Sequence, residues 1–188
     1  EKLAVFWKLI RKYVTVEPVL FMYVFGLGLM GPTNEALVYR KVCLVRFADR
    51  PSICDNLHNS SKDVVDLIQS DTSHFFYLEG LCFTLPAIFS ASFYGALSDK
   101  INRKLPIVLP LIGQILNAIN LAFNAVYPSA PYQLILLGSI SSALFGEFIT
   151  CLMGVFSYIT EVSSVKNRTV RIAVTESMIA VALALSGA

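Results

Sequence analysis

Charged residues and metal-binding side chains are scarce in this chain of 188 residues. Asp, Glu, Lys and Arg make up 15% of it, whereas about 25% is usual in a soluble domain. It has two histidines and four cysteines, and neither a CxxC pair nor a histidine cluster provides the spacing of a metal site. A glycine-rich nucleotide loop and a nucleophile next to a base are missing as well. These absences argue against an enzyme, an ATP-driven pump and a protein with a bound metal or other cofactor.

Hydrophobic residues make up 55% of the chain, and they fall into five long segments that carry little charge. A helix that crosses a bilayer needs about 20 mostly apolar residues, because its backbone must satisfy its own hydrogen bonds in hydrocarbon. No segment shows the alternating pattern of a barrel strand, so an all-α membrane protein is the predicted fold class. The predicted helices cover residues 14–37, 75–97, 105–126, 134–159 and 172–188, and residues 38–74 form a long loop.

The two ends of the sequence are typical of a fragment. The chain starts at Glu1 without an initiator Met, and its fifth apolar segment has about 17 residues, the short limit for a crossing. The residues before the first helix do not have the pattern of a removable signal peptide. We therefore expect the N-terminal part of a larger transporter, with about five helices present and the C-terminal half absent.

Basic residues are unevenly distributed between the two sides of the predicted bundle. Short cytosolic loops of membrane proteins carry an excess of Lys and Arg. Such residues occur before the first helix, between the second and third, and between the fourth and fifth, whereas the turn after the third helix has none. The N-terminus is therefore predicted to be cytosolic, and residues 38–74 to be extracellular or lumenal.

Two features of the loop at 38–74 agree with an outer location. Asn59 begins an Asn-Ser-Ser glycosylation sequon. Cys43 and Cys54 lie where oxidation is possible, so they could form a disulfide with each other, or either could pair with a loop in the absent half. Asn167 begins a second sequon, but it falls in a predicted cytosolic loop and is interpreted as a chance match.

Residues 95–104 read GALSDKINRK, a charged turn between two apolar segments. A basic turn fits the orientation rule, but this order of residues also resembles the signature loop of the major facilitator superfamily, which lies between the same two helices. Asn102 replaces the usual glycine, and asparagine tolerates the left-handed backbone of such a turn. The resemblance implies a latch that clamps the two halves of a transporter together when its outward side is open. The residues of this latch would be Gly95, where a neighbouring helix could approach closely, with Asp99, Arg103 and Lys104.

Further motifs narrow the resemblance. Val16–Pro18 read VEP at the start of the first helix, Gly31–Pro32 follow near its outer end, and LFGEF lies in the fourth. VSSVKNRTVRIAVTE leads into the fifth helix. This order resembles solute carrier family 46, whose members carry folates, cyclic dinucleotides or muropeptides at the plasma membrane or in lysosomes. The resemblance covers most of the chain from residue 14 onward and implies the N-terminal half-bundle of the major facilitator fold.

Two acidic residues lie inside the predicted helices, where a charged group is costly and usually faces a cavity or a partner. Glu147 is near the middle of the fourth helix, and Glu176 is about one turn into the fifth. The resemblance implies an acid of the translocation region at Glu147 and a proton-coupling glutamate at Glu176. A half-buried carboxyl can bind and release a proton near neutral pH. The alternative for Glu176 is an ion pair with a Lys or Arg of a neighbouring helix.

Other polar residues of the predicted helices favour structural roles. Glu35 and Glu79 lie near the outer ends of their helices, which is typical of interfacial acids, although Glu35 could also line an outer vestibule. Ser139 stands where many family members have an arginine, so this half lacks that cation for an anionic solute. Hydrogen bonds to neighbouring helices are expected from three residues on one face of the third helix, Asn117, Asn120 and Asn124.

The sequence thus predicts a multi-pass, glycosylated transporter that moves an organic anion, folate-like or a cyclic dinucleotide, in symport with protons by alternating access. Protons would be the coupling ion, and no other cofactor is expected. The expected partners are the small solute, the lipid bilayer and the absent half of the same chain, with no nucleic acid. A facilitator without coupling and a membrane receptor without transport are the alternatives. The plasma membrane is the expected location, and an endosomal or lysosomal membrane is the alternative.

Overall fold

The computed structural model describes residues 16–55, 61–100, 102 and 104–187, apart from the side chains of Asp55 and Asp99. This part of the chain folds into helices that are joined by turns and contains no strand, which confirms the predicted all-α class. A short 3₁₀ turn, Tyr132–Leu134, precedes the fifth helix. The helices are α1 (Glu17–Arg46), α2 (Ser52–Asp55), α3 (Lys62–Lys100), α4 (Leu105–Val126), α5 (Ile135–Leu144), α6 (Glu147–Val162) and α7 (Val165–Ser186).

The long helices run up and down between two ends of a bundle, with α5 and α6 forming one interrupted passage. We call one end the basic end: it holds the start of α1, the end of α3, the start of α4 and the turn between α6 and α7. We call the other the disulfide end: it holds the end of α1, helix α2, the start of α3 and the turn between α4 and α5. Helix α1 packs most extensively against α7, and α4 packs against α5 and α6.

Four helical stretches in the described residues are long and apolar enough to cross a membrane: Lys62–Ser98, Leu105–Val126, Tyr132–Val162 and Val165–Ser186. Helix α1 is not among them, although it was predicted as the first membrane helix. The reason is local, because its apolar run is followed by Pro32, Asn34 and Glu35 in the second half of the helix.

The predicted loop at 38–74 is mostly helical, since α1 continues to Arg46 and α3 begins at Lys62. Both extensions carry polar residues on one side and buried apolar residues on the other, so they escape a search for continuous apolar runs. Their buried residues form a core near the disulfide end, which includes Val38, Val42, Ile68, Phe75, Leu121 and Ile135.

Helix α7 also begins earlier than predicted, at Val165 instead of residue 172, because Ser164 adopts the extended conformation of a helix N-cap. Its longer first half packs toward a second core, which lies between α1, α4, α6 and α7. The buried members of this core include Leu20, Tyr23, Val24, Ile107, Cys151, Val155, Ile159 and Ala182.

A disulfide and a buried lysine hold the disulfide end together. Cys43 of α1 is bonded to Cys54 of α2, with a Cα–Cα distance of 5.8 Å. Lys41 is 2% exposed, and its Nζ donates to Asn124 Oδ1 at 2.8 Å. It also donates to the backbone oxygens of Tyr127 and Ala130, at 3.2 Å and 3.0 Å. These contacts attach the last turns of α1 to the end of α4, where free helix carbonyls favour a cation.

Asn117, Asn120 and Asn124 form a stripe on one face of α4, and two of the three make the expected hydrogen bonds. Asn124 accepts from Lys41 of α1, and Asn120 Nδ2 donates to the backbone oxygen of Leu134 at 3.2 Å. Asn117 Oδ1 is buried and has no hydrogen-bond partner in the described part of the chain. The stripe therefore joins α4 to α1 and to the segment that leads into α5.

Close approach between α4 and α6 depends on Gly154. A Cβ atom added there would lie 2.9 Å from Pro106 Cγ and 3.0 Å from Ile107 Cγ1, and a proline ring has little freedom to move away. Gly95 differs, because the nearest atoms to an added Cβ are the flexible end of Met153, at 3.6 Å. Within this half-bundle the signature glycine therefore has room for a methyl group, and the close contact expected at Gly95 is not seen.

Gly154→Ala should separate α4 from α6 and lower the free energy of unfolding of the full-length protein by about 1–3 kcal/mol, the usual range for overpacking. The matched control is Gly95→Ala, which should leave thermal stability in detergent unchanged or raise it slightly, since alanine favours helix. Equal effects of the two substitutions on the unfolding temperature would contradict the proposed role of Gly154.

Candidate functional site

The fourth predicted membrane helix is broken in its middle, between α5 and α6. Gly146, the N-cap residue of α6, has a φ of 100°, and Glu147 begins α6 with a φ of 52°. Among the described residues, Glu147 is the one non-glycine residue with a positive φ. Such a backbone costs roughly 1–2 kcal/mol for an L-residue, and it is found mainly where function or packing requires it.

The break frees backbone oxygens at the end of α5, and hydroxyl groups of α3 bind them. Ser90 Oγ donates to the oxygen of Ala143 at 2.6 Å, and Tyr94 OH donates to the oxygen of Leu144 at 3.0 Å. The Ala143 oxygen also accepts from the Gly146 N–H at 3.1 Å. Because an unpaired carbonyl in hydrocarbon costs several kcal/mol, these contacts together help to make the interrupted helix compatible with a membrane. Ser90 and Tyr94 were not singled out in the sequence, since no local pattern marks a hydroxyl that caps another helix.

The Glu147 carboxylate lies at the start of α6, against the backbone N–H groups of Phe148 and Ile149. Tyr23 of α1 is within electrostatic range of it, and the Tyr23 ring stacks on Phe148 with centroids 6.5 Å apart. Glu147 is half-buried, and no basic side chain pairs with it in the described part of the chain. The positive end of the α6 dipole is thus the main favourable partner of this carboxylate.

Glu79 lies in the middle of α3, not near the outer end of a helix as predicted. The difference follows from the early start of α3, which places more than four turns of helix before Glu79. Ser139 Oγ of α5 donates to Glu79 Oε1 at 2.5 Å, and Asn34 Nδ2 of α1 donates to its two oxygens at 3.2 Å and 3.3 Å. Ser139 stands at the position where the family resemblance predicts an arginine. It binds Glu79, an acid that was expected at the membrane interface.

Glu176 lies near the middle of α7, whereas the sequence placed it about one turn from the helix start. It is exposed in this half-bundle, and no ion pair or hydrogen bond involves its side chain within the described ranges. Neighbouring Thr175 points the other way and is fully buried. The predicted alternative of an ion pair for Glu176 therefore has no partner in the described residues.

Glu35 lines an open cavity of about 590 Å³ between α1 and α3 at the disulfide end. This agrees with the outer vestibule that the sequence left open for it. Tyr39 of α1 and Gln69, Thr72 and Ser73 of α3 contribute further polar groups to the cavity.

A buried ion pair joins α1 to α7 at the basic end. Arg171 Nη2 and Nε donate to Glu17 Oε1 at 2.7 Å and 3.2 Å, and the Glu17 residue is 3% exposed. Arg171 Nη1 also donates to Ser163 Oγ at 3.1 Å. This pair was not predicted, because Glu17 was noted only as part of the VEP motif and Arg171 only as part of a basic loop. Breaking a buried pair by removing one partner usually costs about 3–5 kcal/mol, so this contact fixes α7 against α1.

The predicted latch is partly helical. Gly95 and Asp99 belong to α3, which continues to Lys100, and Lys104 is the N-cap residue of α4. Asn102 Oδ1 accepts a hydrogen bond from the Lys104 N–H at 3.0 Å, so asparagine supports this turn through its side chain and not through a positive φ. The Asp99 side chain and Arg103 lie outside the described residues, as does the sequon residue Asn59.

The described residues hold no group of three His, Cys, Asp or Glu side chains that could bind a metal ion. Three carboxyl groups about midway between the two ends of the bundle have no basic partner in this part of the chain, namely those of Glu79, Glu147 and Glu176. A carboxylate inside a membrane is costly unless it is paired, solvated or protonated.

Ser90→Ala should leave the Ala143 carbonyl with the Gly146 N–H as its remaining donor and lower the free energy of unfolding of the full-length protein by about 0.5–1.5 kcal/mol, the usual net value of one hydrogen bond. Ser92→Ala is the matched control, because Ser92 Oγ donates to the Ile88 oxygen of its own helix and is exposed. Thermal unfolding in detergent measures both. If Ser92→Ala destabilises as much as Ser90→Ala, the capping role of Ser90 is wrong.

No protein-family model matches the chain. Among curated proteins, it is 33% identical to the lysosomal proton-coupled steroid conjugate and bile acid symporter SLC46A3 of Gallus gallus over 185 residues, which cover 94% of this chain and 40% of the relative. It is 30% identical to the proton-coupled folate transporter of Bos taurus over 168 residues, which cover 89% of this chain and 36% of the relative. The human SLC46A3 protein is 25% identical over 184 residues, with coverage of 94% and 40%.

The chain thus spans about 40% of the length of the curated relatives it matches. These relatives are transporters and not enzymes. Together with the apolar helices, the similarity identifies an all-α membrane half-bundle of the major facilitator superfamily. The chain belongs to solute carrier family 46.

Proposed function

We propose that this half-bundle is part of a symporter that moves an organic anion together with protons by alternating access. The observation that carries the proposal is Glu147, a half-buried carboxylate at a helix break with no basic partner in the described residues. Transporters commonly place interrupted helices at the substrate and ion sites near the middle of the membrane. The names of the relatives support the coupling, since each is called proton-coupled.

The two acids without partners would have different tasks. Glu176 is exposed on α7 and would exchange protons with water or with the other half of the transporter. Glu147 lies deeper, beside Tyr23, and its charge would depend on whether solute or proton occupies the centre. Protonation removes the cost of a charge in the membrane, so a loaded carrier can change conformation more easily than one with bare carboxylates.

The proposed solute is an organic anion because the relatives are named for folate, steroid conjugates and bile acids. The described membrane helices provide no arginine near Glu79, Glu147 or Ser139, so a cation for the solute would come from the other half of the transporter. The signature residues Gly95, Asp99, Arg103 and Lys104 would form the latch between the halves at the basic end.

The proposed orientation places the N-terminus and the basic end in the cytosol, with Asn59 glycosylated on the other side. Proton symport into the cytosol requires an acidic compartment at the disulfide end. Acidic extracellular fluid at the plasma membrane and the lumen of lysosomes both meet this need. The relative from Gallus gallus is named as lysosomal, which supports the second location.

Uptake of a labelled folate and a labelled steroid sulfate by the full-length protein in cells, at mildly acidic and neutral pH, tests the proposed function. We expect faster uptake at acidic pH in the wild type. In Glu176→Gln the ratio of acidic to neutral uptake should fall close to one, because the proton carrier is lost while the size of the side chain is kept. Asp66→Asn, an exposed acid of α3, is the matched control and should retain the wild-type ratio.

Equal uptake at both pH values by the wild type would contradict proton coupling and favour the facilitator. No uptake of any solute by a protein that reaches its membrane would favour the receptor.

Glu147→Gln should reduce uptake at both pH values, because it removes a charge from the centre of the pathway. Thr160→Val in the same helix, far from the break, serves as its control, since the Thr160 hydroxyl donates within α6. Initial rates at saturating and limiting solute separate a loss of binding from a loss of turnover. Unchanged rates in Glu147→Gln would exclude Glu147 from the transport pathway.

A further inference from the structure

Helix α7 is held to α1 by a buried ion pair, and little else of α7 is deeply buried in the half-bundle. Arg171 Nη2 and Nε both donate to Glu17 Oε1, and the side chains of Arg171 and Glu17 are 13% and 4% exposed. In the described part of the chain, the buried residues of α7 are Thr175 and Ala182, which are both small. Small side chains form shallow ridges, so apolar packing alone restrains the rotation of α7 only weakly.

The ion pair lies on the side of α7 that is turned toward the other helices. Thr175 and Ala182 follow Arg171 by four and eleven positions, so the three residues lie on one side of the helix. Ile172 and Ile179 flank this side and pack, partly buried, against the core that α7 shares with α1, α4 and α6. We call the side of Arg171, Thr175 and Ala182 the anchored face.

Glu176 lies at the edge of the anchored face. It follows Thr175 directly, which places it about 100° further around the helix axis. Thr175 is fully buried, whereas Glu176 is exposed in the half-bundle. The boundary between packed and open surroundings therefore runs between these two neighbours. A modest rotation of α7 would carry Glu176 across this boundary, so its surroundings depend on the rotation more than those of residues at the centre of either side.

The hydrogen bonds of Arg171 have the directions that fix such a rotation. A guanidinium is planar, and its N–H groups point in set directions. Nη2 and Nε face Glu17 of α1, while Nη1 donates at 3.1 Å to Ser163 Oγ at the end of α6. Glu17 is fixed in turn, because its Oε2 accepts from the Val16 N–H at 2.9 Å. The plane of Arg171 is thus held from two other helices at once.

The other polar contacts of α7 do not reach α1. Arg168 Nη2 donates to the backbone oxygen of Thr160 at 2.9 Å, which connects the first turn of α7 to the end of α6, where a short turn already joins the two helices. The hydroxyl groups of Thr175 and Ser177 donate to backbone oxygens of α7 itself. Among the described residues, the polar contact that crosses from α7 to α1 is therefore the ion pair.

We propose that Glu17 and Arg171 are positioning residues, whose ion pair sets the rotation of α7 about its axis and thereby keeps Glu176 outside the packed side of the half-bundle. Buried ion pairs add little net stability compared with apolar residues of similar size, but they can select one arrangement of helices. The inference deepens the proposed function and rests on it for the task of Glu176 in transport. The position of Glu176 can nevertheless be measured without transport.

Reaction rates of single introduced thiols measure the rotation. Thr175→Cys and Glu176→Cys are made separately in the full-length protein, which is purified in detergent and treated with N-ethylmaleimide, and mass spectrometry follows the modified peptides. We expect the thiol at position 176 to react at least about tenfold faster than the thiol at 175, because reactivity follows exposure. Equal rates would overturn the inference, since position 176 would then not border the packed side.

The ion pair is then replaced by apolar residues in both thiol backgrounds, as Glu17→Leu/Arg171→Met. The unfolding temperature should be preserved, because no charge is left buried without its partner, whereas the directed hydrogen bonds are lost. The ratio of the rates at 176 and 175 should fall at least about threefold, because an α7 that samples several rotations makes the two positions more alike in exposure. Arg171→Lys is a second variant if the double replacement fails to fold: it keeps a cation for Glu17, lacks the planar fork and should also lower the ratio.

Gly154→Ala is the matched control for general loosening. It should weaken the packing of α4 on α6 and lower the unfolding temperature, but it leaves the ion pair in place and should keep the wild-type ratio. A ratio that falls as far in Gly154→Ala would overturn the inference. A wild-type ratio in folded Glu17→Leu/Arg171→Met would overturn it as well, and so would a wild-type ratio in Arg171→Lys if the double replacement does not fold.

Uptake by the same replacements, made without the introduced thiols, separates the inference from the proposed function. If uptake by the wild type does not depend on pH, the proposed symport fails, while the rate ratios still decide whether the ion pair positions Glu176. If uptake is faster at acidic pH, Glu17→Leu/Arg171→Met should lower its initial rate at least about fivefold more than Gly154→Ala does, since misplacing a reacting group is costly. A wild-type rate in the double replacement would overturn a role of the pair in transport.

Discussion

An interrupted helix inside a membrane must satisfy every backbone group that the interruption frees, and the architecture of this half-bundle follows from that constraint. At Gly146 and Glu147 the oxygens of α5 are bound by Ser90 and Tyr94 of α3, while the first N–H groups of α6 lie against the Glu147 carboxylate. A single break thus fixes the position of α3, exposes a pair of helix ends at the centre of the bundle and places an acid between them.

The two ends of the bundle are more firmly connected than its middle. The buried Glu17–Arg171 pair joins α1 to α7 at the basic end, and Lys41 with the Cys43–Cys54 disulfide joins α1 to its neighbours at the other. Between these ends the carboxyl groups have only neutral or backbone partners in the described residues. In the proposed symporter, a half-bundle that is held together at both ends would move as one body against the second half, as alternating access requires.

The sequence predicted the class of fold and the family because these depend on long apolar runs and on the motifs GALSDKINRK and VSSVKNRTVRIAVTE. It misplaced the helix ends, since the first turns of α3 and α7 are amphipathic and carry no continuous apolar signal. Because these two helices begin earlier than predicted, Glu79 and Glu176 lie near helix centres and not near helix ends. The partners of Glu79 could not be predicted, because Asn34 and Ser139 come from helices 45 and 60 residues away along the chain.

Water access at the helix break tests this description most directly. In membranes that contain the full-length protein, Glu147→Cys and Ile149→Cys can be compared for reaction with a charged, membrane-impermeant thiol reagent, with the modified positions located by mass spectrometry. Ile149 lies on nearly the opposite side of α6 and is 60% exposed in the half-bundle, so its position should face lipid or apolar protein. The thiol at position 147 should react much faster than the thiol at 149. Equal rates, or faster reaction at 149, would contradict an aqueous pathway at the break.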